Sequence, residues 1–195
     1  MRRRLSGRIG VALPTEEAFQ LFTPNGEREW VHGWNPRFPA PTADDAEPGT
    51  VFETDAHGQR CTWLVTDRVQ GKRITYGQVI PGERAGSIAV TVDATAAGTE
   101  AEVVYDLTSL SDTGADHLEQ FANGYGDYLR SWRIAIAACL AKRKGPSCAL
   151  TGTKTLSGPQ WSFRGSDETV EAGERRDSHD HALSAAVGRK PSCQG

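Results

Sequence analysis

This chain lacks most of the features that announce a chemistry. Its cysteines are only Cys61, Cys139, Cys148 and Cys193, and no two of them stand at C-x-x-C spacing. A disulfide framework or a zinc site is therefore not expected. No run approaches the roughly 20 apolar residues of a membrane span. The basic run Arg2-Arg3-Arg4 leads into Ser6, Gly7, Arg8 and Gly10, which cannot form the apolar core of a targeting peptide. The net charge of -3 leaves no footprint for nucleic acid or an anionic membrane. Nucleophile-elbow, phosphate-loop and paired metal motifs are all missing. These absences predict a cytoplasmic protein with no cofactor, no metal, no nucleic-acid partner and no membrane span. The length of 195 residues suits one domain with chain to spare.

What the chain does have is a pair of tryptophans, Trp30 and Trp34, in the segment Gly26-Glu27-Arg28-Glu29-Trp30-Val31-His32-Gly33-Trp34-Asn35-Pro36. A short helix there would put both indoles on one face. Each indole buries a large area and carries an N–H in need of a partner. The expectation is a plug against a concave surface. The run Glu27-Arg28-Glu29 reads as a solvated face.

The concave surface is legible in the alternation that flanks this segment. Leu5, Ile9, Val11 and Leu13 share one parity, as in a strand with one buried face. Pro14-Thr15-Glu16-Glu17 then starts a helix, with Thr15 as a candidate cap and Ala18, Phe19 and Phe22 as its apolar side. Residues 36–50, rich in proline, alanine and acids, read as a loop. Five more strands are expected near 50–55, 60–68, 73–80, 86–93 and 100–107, separated by hairpin residues such as Gly58, Gly71, Gly82 and Gly98. One apolar and one polar face per strand describe an antiparallel sheet covered on a single side.

The cover is one long helix, from Asp112 or Asp116 to about Lys142, on which Leu118, Phe121, Tyr125, Tyr128, Leu129, Trp132, Ile136 and Leu140 recur at helical spacing. At about 1.5 Å per residue it is some 40 Å long. Gly124 and Gly126 sit inside it, each at a cost of about 1 kcal/mol relative to alanine. Beyond it, 145–195 reads as a flexible tail after a domain of residues 1–144, because its few large apolar residues follow no period. His179-Asp180-His181 in that tail reads as a solvated cluster rather than a metal site.

In this order, Val11-Ala12-Leu13-Pro14 leading to Ala18-Phe19-Gln20-Leu21-Phe22, Glu29-Trp30 through Gly33-Trp34-Asn35-Pro36, Gly49-Thr50-Val51-Phe52, Thr62-Trp63-Leu64-Val65 and Thr99-Glu100-Ala101-Glu102-Val103 resemble the SRPBCC superfamily, the START/pollen-allergen-like helix-grip proteins. More narrowly they resemble its polyketide cyclase/dehydratase and lipid-transport branch, over about residues 5–143. The resemblance implies an α+β fold in which a curved seven-stranded sheet (six are counted here) grips the long helix, with two short helices after the first strand. It also implies an apolar ligand, of the lipid, polyketide or quinone class, between sheet and helix.

The wall of such a pocket would combine inward strand residues with the inner helix stripe: Trp34, Phe52, Trp63, Tyr76, Val90, Tyr105, Phe121, Tyr125 and Tyr128. Rings with a few placed polar tips suit a ligand site, although the same rings would also fill a plain core. Candidates for acid–base chemistry are His32, Glu53, Asp55, His57, Arg60 and Tyr76, and none of them stands out. Glu29 and His32 share a helix face but lack further metal ligands. Three functions stay open: a binder of a small hydrophobic molecule, a cyclase or dehydratase, and a chaperone-interacting module that uses Leu64, Val79 and Val104 on the outer sheet face.

Overall fold

A computed structural model describes residues 1–56 and 59–143. His57, Cys148, Cys193, His179, His181 and the expected tail at 145–195 lie outside the described residues. Six strands, β1 (Arg2–Val11), β2 (Val51–Ala56), β3 (Gln59–Val69), β4 (Arg73–Ile80), β5 (Arg84–Thr95) and β6 (Gly98–Ser109), form one sheet. All neighbours are antiparallel and the order is β1-β6-β5-β4-β3-β2. Helix α1 (Thr15–Gln20), a 3-10 turn (Gly26–Glu29) and the loop to residue 50 cross from the β1 edge to the β2 edge, and α2 (Asp112–Arg143) closes the chain.

Strand parity decides the faces. Ile9 and Val11, Phe52, Trp63 and Val65, Ile74, Tyr76 and Ile80, Ile88, Val90 and Val92, and Val103, Tyr105 and Leu107 all turn inward and are buried. The outer face carries cross-strand ion pairs such as Arg2–Asp106 (2.7 Å) and Arg73–Asp67 (2.6 Å). A register shift between Val65 and Asp67 bends β3 just past its last inward residue. Helix α2 buries Leu118, Tyr125, Leu129, Trp132, Ile136 and Leu140 along one stripe, and burying each such side chain stabilises the fold by about 1.5–3 kcal/mol. Its first turn is fastened by Ser111 Oγ, which accepts the Gly114 N–H (3.0 Å), and by the Leu110 N–H, which donates to Glu83 O (2.7 Å). The basic Lys142 and Arg143 complete its negative end. A curved one-sided sheet gripping one long helix is the α+β helix-grip architecture.

Three local expectations are corrected. Thr15 is the first helical residue rather than a cap: Pro14 precedes α1, no side chain caps it, and Pro14 O accepts the Ala18 N–H. The tryptophan segment is a four-residue 3-10 turn that stops at Trp30, where φ is -131°, so Trp30 and Trp34 do not share a helix face. The seventh strand implied by the resemblance is absent among the described residues, where the free edge of β2 carries only a single bridge, Arg37 to Glu53. Pro36, Pro39 and Pro41 flank that bridge and offer no N–H to lengthen it.

Candidate functional site

The two tryptophans part company at Trp30. Trp30 is buried against Phe22 and Trp132, at centroid distances of 6.3 and 5.1 Å, and its Nε1–H donates to Leu21 O (2.7 Å). Trp34 is only half-buried, donates to Pro24 O (2.7 Å), and packs on Phe52 (6.1 Å) and Trp63 (5.6 Å). They anchor two aromatic groups. The first joins Trp34, Phe38, Phe52, Trp63 and Tyr76 under β2, β3 and β4, with Phe52 and Trp63 stacked 5.7 Å apart. The second runs from Phe22 and Trp30 through Trp132 and Tyr128 to Tyr105, Phe121 and Tyr125 beneath α2. Tyr76 links them, since its hydroxyl donates to Phe22 O (2.8 Å).

Eight of the nine residues expected at the pocket wall therefore fall into these two groups. The ninth, Val90, lies in mid-sheet opposite Ile74 and Val103. Trp34 borders an open cleft of about 390 Å³ between residues 28–34 and the C-terminal half of α2 near Cys139. Tyr125 borders another, of about 580 Å³, between β1 and α2.

Polar groups are set into this aromatic interior. The one the sequence misassigned is Glu27, which is 2% exposed rather than solvated. Its placement is a matter of close approach. Thr23 Oγ1 donates to Gln20 O and accepts the Gly26 N–H, both at 3.1 Å, so the turn folds hard onto the end of α1. A Cβ at position 26 would stand 1.7 Å from Gln20 O, so only glycine fits and the next side chain is driven inward. Gln20-Leu21-Phe22-Thr23-Pro24-Asn25-Gly26 carried this signal in the tight turn it implies, but the charge run obscured it.

The Glu27 carboxylate acts on three phenols. Burial pushes Tyr76, Tyr105 and Tyr128 well above the ordinary tyrosine range, and the Glu27 charge pushes each further in the same direction. Tyr105 and Tyr128 share a hydrogen bond of 3.2 Å, while the Tyr125 hydroxyl donates to Val103 O (2.8 Å). From the sheet, Arg84 enters at 3% side-chain exposure, paired with Glu83 at 2.8 Å, and its charge opposes that of Glu27 at Tyr105. Gln78 on β4 is 1% exposed, and its Oε1 has no hydrogen-bond partner among the described residues. Trp63 Nε1–H donates to Thr54 Oγ1 (3.0 Å).

The other acid–base candidates lie elsewhere. Glu53, Asp55 and Arg60 form an outer-face ion-pair group with Arg37. His32 is exposed on the rim of the Trp34 cleft, and Glu29 pairs with Arg143. Among the described residues, no three His, Cys, Asp or Glu side chains gather as a metal site, and no helix is long and apolar enough to cross a membrane. On the outer face Leu64 and Val79 are exposed beside Val51, while Val104 is half-buried. Three such side chains are ordinary on a solvent-facing sheet.

No protein-family model matches this chain, and no curated protein does. Its fold recurs among solved structures. MLL2253 from Mesorhizobium loti is 14% identical over 72% of this chain and 98% of its own, with a TM-score of 0.55. Mll3558 from Rhizobium loti is 19% identical, covering 71% and 97%, at a TM-score of 0.53. NE0264 from Nitrosomonas europaea is 15% identical, covering 72% and 96%, also at 0.53. Likeness at this level of identity establishes the fold alone.

Proposed function

We propose that this protein is a cytoplasmic member of the SRPBCC group that holds a small aromatic or otherwise apolar ligand between the sheet and α2. The supporting observation is the buried Gln78 side-chain oxygen, without a partner among the described residues, in an aromatic interior that also contains Glu27 and Arg84. An unpaired buried amide oxygen costs about 1–3 kcal/mol, and packing alone gives no reason to keep it. A ligand hydroxyl or N–H that donates to Gln78 recovers that cost. Rings would bind the ligand body, and the cleft beside the half-buried Trp34 is the proposed entrance. The resemblance supplies the ligand classes: lipid, polyketide or quinone.

Glu27 favours one second reading, cyclase or dehydratase chemistry, because a buried carboxylate among phenols is a candidate proton acceptor. One titration addresses both. Fatty acids, quinones and flavonoids are added to the full chain while tryptophan fluorescence is followed, with Trp34→Phe reporting the share of that indole. Saturable quenching that shrinks in Trp34→Phe is expected. No response across the panel refutes ligand binding. Product formed from a bound polyphenol would establish turnover, and an unchanged rate in Glu27→Gln would remove Glu27 from it.

A further inference from the structure

A cleft larger than the one at Trp34 opens on the other side of α2 from the 3-10 turn. It runs along the free edge of β1, with residues 4–9 on one wall and a stripe of α2 from Ala122 to Arg133 on the other. A second cleft of about 280 Å³ continues it to Ala12, and Arg133 lines both. The trough therefore follows eight residues of the edge strand, Arg4 to Val11, about 24 Å at strand rise.

Three properties of this trough converge. The Ser109 N–H donates to Met1 O (2.8 Å), which sets the ladder so that Arg4, Ser6 and Arg8 turn their backbone N–H and C=O groups away from β6 and into the trough. The larger cleft is lined by four arginines, Arg4, Arg8, Arg130 and Arg133, and by no acidic residue. Among the described residues Arg133 has no ion-pair partner, whereas Arg4, Arg8 and Arg130 reach Asp106, Glu100 and Asp127. Finally, Gly126 leaves helix backbone bare on the far wall. A Cβ there would meet nothing within 4 Å, so the fold itself does not require glycine at this poor helix position.

Arginines on an edge strand also protect against unwanted pairing, and that function excludes a second copy of this chain, whose arginines would face these. It does not exclude an acidic strand. An acyl chain is disfavoured because it would cover the outward backbone groups without bonding them. We propose that the trough takes an extended acidic peptide of a partner protein as an added strand on β1. Alternate peptide side chains would point at Tyr125 and Leu129 under α2, and the intervening acids at Arg4 and Arg8, so the fitting pattern is apolar–acidic alternation.

The test is fluorescence anisotropy of the full chain with a dye-labelled eight-residue peptide alternating valine and glutamate. A valine–lysine peptide and an alternately N-methylated valine–glutamate peptide are the controls. Binding of the first at least tenfold tighter than either control is expected, together with slowed amide exchange at Arg4, Ser6 and Arg8. Arg133→Glu and Gly126→Leu should each weaken binding tenfold or more. Gly124→Ala, also in open space but off the cleft, should leave binding unchanged while raising Tm by about 3 °C. No binding overturns the proposal. So does equal binding of the lysine peptide, or tight binding that leaves the exchange of Arg4, Ser6 and Arg8 unaltered.

Discussion

Replacing Gln78 by leucine should make this protein more stable and less able to bind. Gln78 sits opposite Trp63 on β3 and Gly86 on β5, turned into the interior. It is 1% exposed and its Oε1 lacks a partner among the described residues. Leucine has a similar volume, so the core need not shift. The substitution removes an unpaired-acceptor cost of about 1–3 kcal/mol. Loss of the longer side chain's packing offsets part of that, which leaves a net gain of about 1–2 kcal/mol and a rise in Tm of roughly 4 °C. Gln78→Glu keeps the shape but buries a carboxylate in the same interior as Glu27. It should destabilise, with a cost that shrinks on acidification because a buried carboxyl prefers its neutral form. Urea unfolding followed by tryptophan fluorescence and circular dichroism measures both, with the slope m expected unchanged. A Gln78→Leu protein less stable than the wild type by about 1 kcal/mol or more would refute the reasoning. The amide would then belong to a satisfied network, and the interior would have no unmet group for a ligand to fill.

Two further outcomes follow from the same structure. The chain has four tyrosines, and burial raises all of them, Tyr76, Tyr105 and Tyr128 with help from Glu27 and Tyr125 with help from Glu102. The unfolded chain therefore releases phenol protons near pH 10 that the folded one keeps, so their contribution is intact below about pH 10 and is lost as pH rises beyond it. Phenolate absorbance should appear together with loss of the near-ultraviolet dichroism; gradual ionisation near pH 10 in a protein that stays native would contradict the burial argument. Gly114→Ala should destabilise by about 2 kcal/mol in urea unfolding, because its Cβ would stand 2.1 Å from Glu83 O and lift the start of α2 off the β4–β5 turn. A neutral or stabilised variant would show that this contact does not fix the helix.

Most of the framework was legible because it follows from period alone. β4 was expected at 73–80 and is found there. β3, β5 and β6 extend one or two residues beyond expectation at each end, since hairpin pairing continues into residues whose side chains carry no alternation, while β2 is shifted by one residue and β1 starts earlier, at Arg2, and stops at Val11, short of Leu13. Helix α2 was legible from Leu118 to Leu140 because the apolar stripe repeats for six turns. What failed was short. A four-residue turn has no period to read, so Trp30 and Trp34 looked like partners when they belong to different aromatic groups. The count of six strands was legible, whereas the single bridge of Arg37 to Glu53 was not, because the prolines around Arg37 mark only a loop.

Glu27 shows why the candidate site was harder to read than the fold. In Glu27-Arg28-Glu29 the three side chains are alike in polarity, and hydrophobic patterning treats them as one exposed unit. In the structure Glu29 reaches Arg143 at the surface, the Arg28 side chain donates to Pro36 O (2.6 Å), and Glu27 alone is buried. The difference arises from sterics rather than hydrophobicity: Gly26 pressed against Gln20 O fixes the direction of the following residue. Burying a carboxylate costs several kcal/mol unless it is compensated, and the turn that carries Glu27 helps to hold it in place. Gly26 thus connects a local backbone contact to the electrostatics of Tyr76, Tyr105 and Tyr128. Any residue larger than glycine at 26 would release the turn and, with it, a charge that reaches all three phenols.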